Sequence, residues 1–560
     1  MNDSTDPDSQ KSNSETKTQS PLPTTDENSS VQETEDLDLG DQLVPVPQRV
    51  AHSRRGMVST AHWCATAAGV EMLEAGGSAM DAAVAAAFAL GVCEPAASGL
   101  GGQTMMLVYD AEQRTTIALD GSSRAHSRAL PDSLGSEERR RGHRASTVPS
   151  TPAVLQYAVE RFGKLPLARV LEPAIRLARD GYPISQLQHS LTIRELASLR
   201  GGTAAQFFLD EQGNPFPVGA RFRQPVLAET FQRIATHGVQ DLYQGEIAKQ
   251  IVEDMNRHGG LIQADDLANI PFPIERRPVS CRFEGHKILT FPPPGAGRTL
   301  VEMLNILNEF PETLWNPDTP KGALLLAFVI QQAFLDRRDR PFNPDFYPQI
   351  DDKTMVSPLH ARKIARTIRK QIKTQGDTTH LSVTDRAGNA VALTQSIERV
   401  YGSFAASPEL GFLYNNYMSA FEYKDPSHPY FLRPNAVPWA SVAPTITFRN
   451  RKPWLVIGSP GSERITPSIM QVILRLRRQS PYDAVNAPRL HCSLKGTVSL
   501  EAGRMRDDIV DVLKSHGFAI KVRDPYSFYL GCVQLVVREG DGWRGVADPR
   551  RDGAAGGPKK

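Results

Sequence analysis

The hydrophobic pattern of this chain changes its period at residue 378. Before this point, apolar residues recur mostly at helical spacing, as they do over Leu171–Asp180. After it, Thr379–Thr384 and Ala390–Ile397 alternate with period two around a turn at Asp385–Asn389. Period-two alternation is typical of strands, and glycine and asparagine in the turn favour a β-hairpin. Helices first and strands later, without regular βαβ alternation, predict a layered α+β architecture.

Further elements are predicted on both sides of this boundary. Ser78, with Asp81 three residues later, is typical of a capping box at the start of a helix. The glycine-rich turn Ser98–Gly102 lacks the spacing of a dinucleotide or Walker loop, which argues against a phosphate site. The other predicted elements are helices over residues 59–73, 78–90 and 299–310 and strands over 104–109, 443–448 and 454–457.

The beginning of the chain differs in composition from the rest. Residues 1–45 are rich in Asp, Glu, Ser, Thr, Gln and Pro, with no aromatic and few large aliphatic residues. Such a segment buries too little apolar surface to fold, so a disordered acidic tail is predicted. No signal peptide is recognisable, and the longest apolar run, Ala82–Val92, is too short to span a bilayer. We therefore expect a soluble, cytoplasmic protein without a membrane partner.

Charge and cysteine content narrow the possible functions. The net charge of +2 gives no general electrostatic reason to bind nucleic acid. The number of cysteines is odd and no CxxC pair occurs, which predicts neither a disulfide scaffold nor a structural zinc site. No group of His, Cys and Asp has ligand spacing either, so no metal or other cofactor is predicted. The five cysteines are Cys64, Cys93, Cys281, Cys492 and Cys532.

A collinear series of short motifs gives the chain a family resemblance. The stretch Thr378–Val383, followed by Asp385 and Gly388–Val391, resembles the start of the small subunit of γ-glutamyltransferases. Other matches, in chain order, are Gly76-Gly77, Glu94-Pro95, Ser98–Gly102, Pro173–Ile175, Asp266-Leu267, Pro293-Pro294, Asn415-Asn416, Pro444–Ile446, Gly458–Gly461, Pro488-Arg489 and Asp548–Arg551. The resemblance implies an αββα four-layer sandwich of the N-terminal-nucleophile hydrolase type. It also implies one precursor split into a heavy subunit, residues 46–377, and a light subunit, residues 378–560.

The resemblance implies that Thr378 is the nucleophile and that the chain cuts its own Asp377–Thr378 bond. A threonine hydroxyl needs an adjacent base to become a good nucleophile. The α-amine of a new N-terminus, with a pKa of about 7.7–8.0, supplies that base within the same residue. Before cleavage, the same hydroxyl can attack the carbonyl of Asp377 and release the light subunit through an ester.

Three more residues receive catalytic roles from the resemblance alone. Ser396 stands where the family has a threonine that hydrogen-bonds to the nucleophile. Gly461 and Ser462 stand where two successive glycines offer backbone N–H groups to the oxyanion. A backbone donor survives the change from glycine to serine, but its geometry is affected if the second position needs a positive φ.

The residues with which the family holds the γ-glutamyl group are partly replaced. Ser122 aligns with the arginine that binds the substrate carboxylate, and Arg124 is two residues further on. Glu398 replaces an asparagine, Tyr417 and Ala420 replace a glutamine and an aspartate, and Ser441 remains from a pair of serines. Each replacement removes a polar partner, which costs a few kcal/mol per charged group left unpaired. These changes predict a different small-molecule substrate.

Four functions therefore remain open. The first is an amidase or acylase for a non-glutathione substrate, and the second is a specialised-metabolite hydrolase that cleaves a C–C bond beside an oxalyl-like carbonyl. The third is an ordinary glutathione hydrolase or transpeptidase, which the altered pocket opposes. The fourth is an inactive scaffold, which the retained Thr378 and Ser396 oppose. The expected partners are the substrate and the two subunits of one precursor.

Overall fold

The computed structural model describes residues 44–270, 273–339, 355–367 and 378–559. The predicted tail, except for its last two residues, and Asp377 at the predicted cleavage site lie outside these residues. The strands are β1 Val50–Ser53, β2 Gly56–Thr60, β3 Gln103–Asp110, β4 Thr115–Gly121, β5 Tyr182–Pro183, β6 Arg221–Phe222, β7 Ile274–Arg276, β8 Val279–Phe283, β9 His286–Thr290, β10 Thr379–Asp385, β11 Ala390–Ser396, β12 Thr445–Arg449, β13 Lys452–Gly458, β14 Leu490–Cys492, β15 Thr497–Glu501, β16 Ala519–Arg523, β17 Gln534–Glu539, β18 Gly542–Ala547 and β19 Ala554–Gly556.

Helices are concentrated before the predicted cleavage site. They are α1 Trp63–Glu74, α2 Ala79–Cys93, α3 Thr151–Phe162, α4 Leu167–Asp180, α5 Gln186–Arg200, α6 Ala205–Phe208, α7 Pro225–His237, α8 Gln240–Gln244, α9 Glu246–Arg257, α10 Ala264–Ala268, α11 Gly297–Asn308, α12 Pro320–Asp339, α13 Pro358–Thr367, α14 Ile465–Arg475, α15 Pro481–Asn486 and α16 Asp507–Ser515. None of these described helices is both long and apolar enough to cross a membrane.

Two seven-stranded sheets form the centre of the fold. Sheet I has the strand order β1-β18-β17-β13-β12-β9-β8, and sheet II has the order β19-β2-β10-β11-β3-β4-β7. Both sheets combine strands from before and after residue 378. In sheet II, β10 pairs with β2 on one side and with β11 on the other, and β11 continues the sheet to β3.

Three apolar clusters fill the spaces between the layers. One cluster joins sheet II to helices α1–α5 and α7–α9, and a second joins sheet I to α11, α12, α14 and α16. The third lies between the sheets and contains residues of both, such as Met105 and Ala392 from sheet II and Val456 and Trp543 from sheet I. The layers therefore run helix, sheet, sheet, helix, in agreement with the predicted α+β sandwich.

The predicted hairpin is present and its register is regular. Thr379 lies opposite Gln395 and Thr384 opposite Ala390. The helix predicted over 59–73 begins later, at Trp63, since residues 56–60 form β2 and pair with β10. His62 caps this helix by accepting a hydrogen bond from the backbone N–H of Cys64. Strand pairing with β10 thus overrides the local helical preference at Ser59 and Thr60, and the helix begins four residues later than predicted.

The cysteines are unpaired, as their number and spacing predicted. Burial raises the pKa of the Cys64 thiol to about 12, and it raises that of Cys281 to about 12 as well. Cys93 lies in the apolar layer beside α1, where burial also raises its pKa. Thiols with raised pKa values are poor nucleophiles, so these side chains act as small apolar groups.

Asp81 is the buried acceptor that joins α2 to the start of α4. Its carboxylate accepts hydrogen bonds from the backbone N–H of Ser78 (2.7 Å) and from those of Lys164 (2.9 Å) and Leu165 (3.1 Å). The backbone N–H of Asp81 donates in return to the Ser78 hydroxyl (3.3 Å), which completes the predicted capping box. Asp81 is fully buried, so its removal would leave several backbone donors without an acceptor.

Asp81→Ala is therefore expected to destabilise the protein by on the order of 3–5 kcal/mol, because each orphaned buried donor costs about 1–3 kcal/mol. Ser78→Ala, the matched control, removes only the cap hydroxyl and is expected to cost about 1 kcal/mol. Thermal melting followed by circular dichroism measures both. Equal losses of Tm for the two variants would contradict the assigned role of the carboxylate.

Candidate active site

Thr378 lies at the start of β10, near the middle of sheet II. It is buried, with 6% of its surface exposed. The register of β10 and β11 pairs Thr379 with Gln395, so one further step places Thr378 opposite Ser396. Residues directly opposite each other in an antiparallel pair have Cβ atoms about 4.5–5.5 Å apart on the same face. The structure thus brings together the predicted nucleophile and the predicted hydroxyl partner.

Neighbouring side chains show which way Thr378 faces. Thr379 points toward the helical layer, where its hydroxyl donates to Oε2 of Glu94 (2.6 Å). His380 points the other way, into the space between the sheets, where its ring packs closely against Gly458 of β13. Side chains alternate along a strand, so Thr378 shares the face of His380. It therefore faces the segment that leads from Gly458 to Gly461.

His380 is a structural residue in this arrangement. Its Nδ1 lies 2.8 Å from the hydroxyl of Thr394, and its Nε2 lies 3.1 Å from that of Ser382. Burial lowers the pKa of His380 to about 3, so the ring is neutral near neutral pH. Both ring nitrogens are occupied by hydroxyl groups of the sheet, which leaves the base role to another group.

A buried ion pair fixes the backbone at Thr378. Arg551 Nη2 donates to the carbonyl oxygen of Thr378 (2.9 Å), and the same guanidinium pairs with the carboxylate of Glu94 at the end of α2. Glu94 in turn accepts the hydroxyl of Thr379. Sequence reasoning quoted both residues within family motifs but gave them no role. The pairing of residues 457 positions apart carries no local sequence signal.

Ser396 stands in a second polar group, with Glu398 and Tyr417. The Ser396 hydroxyl accepts a hydrogen bond from the backbone N–H of Glu398 (2.9 Å). Burial raises the pKa of Tyr417, and the negative charge of Glu398 raises it further, while hydrogen bonds with the side chains of Ser396 and Gln103 lower it. The Tyr417 hydroxyl therefore lies beside Ser396 and within the field of Glu398.

Gly461 and Ser462 both adopt left-handed backbone conformations after β13. Gly461 has φ +114° and Ser462 has φ +49°. Their N–H groups belong to the turn before α14, on the side toward which Thr378 faces. The hydroxyl of Ser462 lies 3.5 Å from that of Ser441. The second position of the predicted oxyanion hole has a positive φ in this structure, which serine adopts here.

Ser122 and Arg124 have polar contacts with residues outside this group. The backbone N–H of Ser122 donates to Oδ1 of Asp120 (3.1 Å), its hydroxyl donates to the same oxygen, and Asp120 pairs with Arg276 at 2.6 Å. Arg124 Nη1 donates to the carbonyl of Asn435 (3.1 Å). Neither Ser122 nor Arg124 is among the described residues that line the adjacent cavity.

That cavity has a volume of about 1470 Å³. Glu398, Ser441 and Ser462 line it, and Ala420 does so where the family has an aspartate. Its other lining residues include aromatic side chains and charged groups of both signs. The cavity wall thus offers hydroxyl, carboxylate and aromatic groups to a ligand.

Arg337, at the end of α12, is a cavity residue that sequence reasoning missed. Its guanidinium lies 4.4 Å from the ring centroid of Trp439, and Nη2 donates to the carbonyl of Ala440 (2.7 Å). Burial lowers the pKa of Arg337 to about 10, against the opposing effect of Tyr430 and Glu463. Arg337 therefore remains a cation at neutral pH. Its contact at Ala440 is with the residue directly before Ser441.

Known proteins share the family and the fold of this chain. The model of the gamma-glutamyltranspeptidase family matches residues 65–557. The chain belongs to the gamma-glutamyltranspeptidase family. It is 31% identical to the glutathione hydrolase proenzyme of Escherichia coli (strain K12), over 89% of this chain and 91% of that protein. It is also 31% identical to the acylase ACY 1 proenzyme of Pseudomonas sp. (strain V22), over 86% and 91%.

A solved structure agrees with these relatives. The crystal structure of cephalosporin acylase from Bacillus halodurans superposes with a TM-score of 0.84 at 27% identity, over 94% of this chain and 99% of that chain. This gamma-glutamyltranspeptidase family member is therefore an enzyme with an N-terminal-nucleophile hydrolase fold. Its relatives carry the names of both glutathione hydrolases and acylases, so family membership alone leaves the acyl group open.

The left-handed turn allows a paired test. A methyl group on Gly461 would lie 3.1 Å from Cα of Gly531, in a conformation that disfavours any side chain. Gly461→Ala is therefore expected to lower Tm. Ser462→Gly is expected to leave Tm unchanged or to raise it. The substitution relieves about 1 kcal/mol of strain in the left-handed conformation, and this gain offsets the larger conformational entropy that glycine gives the unfolded chain. A decrease of Tm in Ser462→Gly as large as that in Gly461→Ala would contradict the conclusion that Ser462 is strained.

Proposed function

We propose that this chain is a self-processing hydrolase that cuts before Thr378, forms an acyl-enzyme on Thr378 and hydrolyses an amide or related acyl bond of a non-glutathione substrate. The observation that carries the proposal is the position of Thr378. It begins a central strand, lies opposite Ser396, and has its carbonyl held by a buried arginine. A threonine in a fixed position at the start of a strand is what an N-terminal nucleophile requires.

The first step of the proposal is maturation. The Thr378 hydroxyl attacks the carbonyl carbon of Asp377, the peptide nitrogen leaves as the α-amine of Thr378, and the resulting ester is hydrolysed by water. The two parts of the chain are expected to stay together after cleavage, because their strands alternate within the same sheet. In sheet II, β2 from the heavy part lies between β19 and β10 of the light part. Breaking one bond before β10 leaves this hydrogen-bonded ladder intact.

The second step is acyl transfer to Thr378. The free α-amine takes the proton of the hydroxyl as the oxygen attacks the substrate carbonyl, and later returns it to the leaving amine. Ser396, on the same face, would hydrogen-bond with the nucleophile. The N–H groups of Gly461 and Ser462 would receive the charge that develops on the carbonyl oxygen. Water then releases the acyl group.

Tyr417 and Glu398 support the proposal of a non-glutathione acyl group. The phenol of Tyr417 stands beside Ser396, and the carboxylate of Glu398 adds negative charge at the cavity wall. A γ-glutamyl group would bring a carboxylate of its own toward Glu398, where like charges repel. Ser122 and Arg124 make other polar contacts, with Asp120 and with the carbonyl of Asn435. These positions support an acyl group without the glutamyl α-carboxylate.

Maturation is expected to yield two pieces from one chain. Denaturing electrophoresis of the pure wild type should show two bands, and N-terminal sequencing of the smaller should begin Thr-Thr-His-Leu. Thr378→Ala has no hydroxyl to attack with and should remain a single chain. Thr379→Ala is the matched control, because its hydroxyl faces Glu94 and should not be needed for the cut. If the Thr379→Ala protein stayed intact while the Thr378→Ala protein was cleaved, Thr378 would not be the residue that cuts the chain.

Glutathione and γ-glutamyl anilides are expected to be poor substrates of the cleaved enzyme. Charge-assisted hydrogen bonds contribute roughly 1.5–3 kcal/mol each, so losing two lowers kcat/KM by on the order of a hundredfold or more. Ser122→Arg alone should not restore activity, because Glu398 would remain to repel the substrate carboxylate. The assay compares γ-glutamyl, simple acyl and 2-oxoacyl compounds. Turnover of glutathione at rates usual for enzymes would show that the chain shares the activity named for its Escherichia coli relative.

A further inference from the structure

Three residues that could bind a metal come together outside the described lining of the cavity, two of them four positions apart in the sequence and the third 111 positions before Asp254. They are His143, in a 3₁₀ turn, Asp254, in the last turn of α9, and His258, directly after that helix. His143 Nε2 lies 3.0 Å from Oδ2 of Asp254, and His258 Nδ1 lies 3.0 Å from Oδ1. The three ligand-type atoms all fall within 4.8 Å of one another. Sequence reasoning predicted no metal site because His143 is remote from the other two.

We propose that His143, Asp254 and His258 bind one divalent transition-metal ion of the Zn²⁺ type. Two imidazoles and one carboxylate form a donor set suited to Zn²⁺, Co²⁺ or Ni²⁺ rather than to Mg²⁺ or Ca²⁺, which prefer oxygen ligands. Ligand atoms on a tetrahedral Zn²⁺ ion are about 3.3 Å apart. The two nitrogen–oxygen distances of 3.0 Å are close to that spacing.

Asp254 supplies an independent indication. Its side chain is fully buried, yet its Oδ1 has no hydrogen bond with acceptable geometry among the described residues. The neighbouring Nδ1 of His258 is at ion-pair distance but is aligned with the backbone carbonyl of Asp254 instead (3.1 Å). A buried carboxylate oxygen without a donor is costly, and a metal ion would satisfy it.

The surroundings are compatible with a bound cation. The Tyr414 hydroxyl donates to Oδ2 of Asp254 (3.0 Å), which is the kind of outer contact that orients a ligating carboxylate. The backbone carbonyl of Asp254 already accepts the N–H of His258 (3.1 Å), so it stays paired if the ring turns toward a metal. The nearby Arg257 pairs with Glu409.

The position of the cluster gives the ion a route in and a structural role. His258 has 29% of its side chain exposed, so an ion can enter from solvent. A bound metal would tie the turn at His143 to the end of α9. Arg140 and Arg141, shortly before that turn, line the cavity, and Asn416 binds the carbonyl of Arg140 (3.2 Å). The ion would stabilise this wall without taking part in the threonine chemistry.

A second cluster is a weaker candidate. Nε2 of His360 lies between carboxylate oxygens of Glu302 (3.1 Å) and Asp336 (2.7 Å). One ring nitrogen is already shared by two acids there, and both acids make further contacts. All three residues are buried. This cluster is a buried hydrogen-bonded triad, and it serves as the internal comparison for the first.

The test is a Co²⁺ titration of the purified full-length protein after removal of metals with a chelator. One equivalent is expected to bind, with the visible d–d bands of a four-coordinate site. His143→Gln and His258→Gln should each weaken binding at least tenfold, since even an outer-shell partner is worth 10–100-fold. His516→Gln is the matched control, because His516 also follows a helix and contacts its own helix carbonyl, that of Val512 (2.8 Å). It should bind Co²⁺ like the wild type, as should His360→Gln.

A second measurement avoids variants that fold poorly. Crystals of the wild type soaked in Zn²⁺ should give an anomalous difference peak between His143, Asp254 and His258, and Zn²⁺ should raise Tm by a few degrees through mass action. The proposal is overturned by the absence of stoichiometric binding, by a peak only at Glu302, Asp336 and His360, or by loss of Co²⁺ binding in His360→Gln alone. None of these readouts depends on hydrolytic activity.

Discussion

The pairing of β10 with β2 and β11 is the interaction on which the rest of the structure depends. It places the start of β10 in the middle of sheet II, between strands from both halves of the chain. The buried pair of Arg551 and Glu94 then fixes Thr378 through its carbonyl and Thr379, the first residue of that strand, through its hydroxyl. A nucleophile anchored in this way keeps its position when the preceding peptide bond is broken.

The sequence was sufficient for the elements that depend on local pattern. The hairpin at 379–396 and the capping box at Ser78 could be predicted because period, turn residues and capping spacing act within a few positions. The α+β class followed from the order of these patterns. The helix at 59–73 was predicted four residues too early, because the pairing of β2 with a strand more than 300 residues away is invisible to local propensity.

The candidate site was predictable only where family motifs mark it. Thr378 and Ser396 lie opposite each other, as the motifs implied. The substrate-binding roles of Ser122 and Arg124 stay predictions, and in the structure these residues contact Asp120 and the carbonyl of Asn435. Arg337 and Glu94 were missed because burying a charge depends on distant partners, such as Trp439 and Arg551. The left-handed backbone of Ser462 is a further feature that only the three-dimensional turn imposes.

The central claim is that Thr378, as a new N-terminus, is the nucleophile. The most direct measurement is peptide mass spectrometry of the cleaved enzyme after inactivation by a hydroxyl-reactive sulfonyl fluoride. The account predicts one adduct, on the peptide that begins with Thr378, with its α-amine free and its formation competing with substrate. An adduct on another residue that abolishes activity, with the Thr378 peptide unmodified or still joined to Asp377, would contradict it.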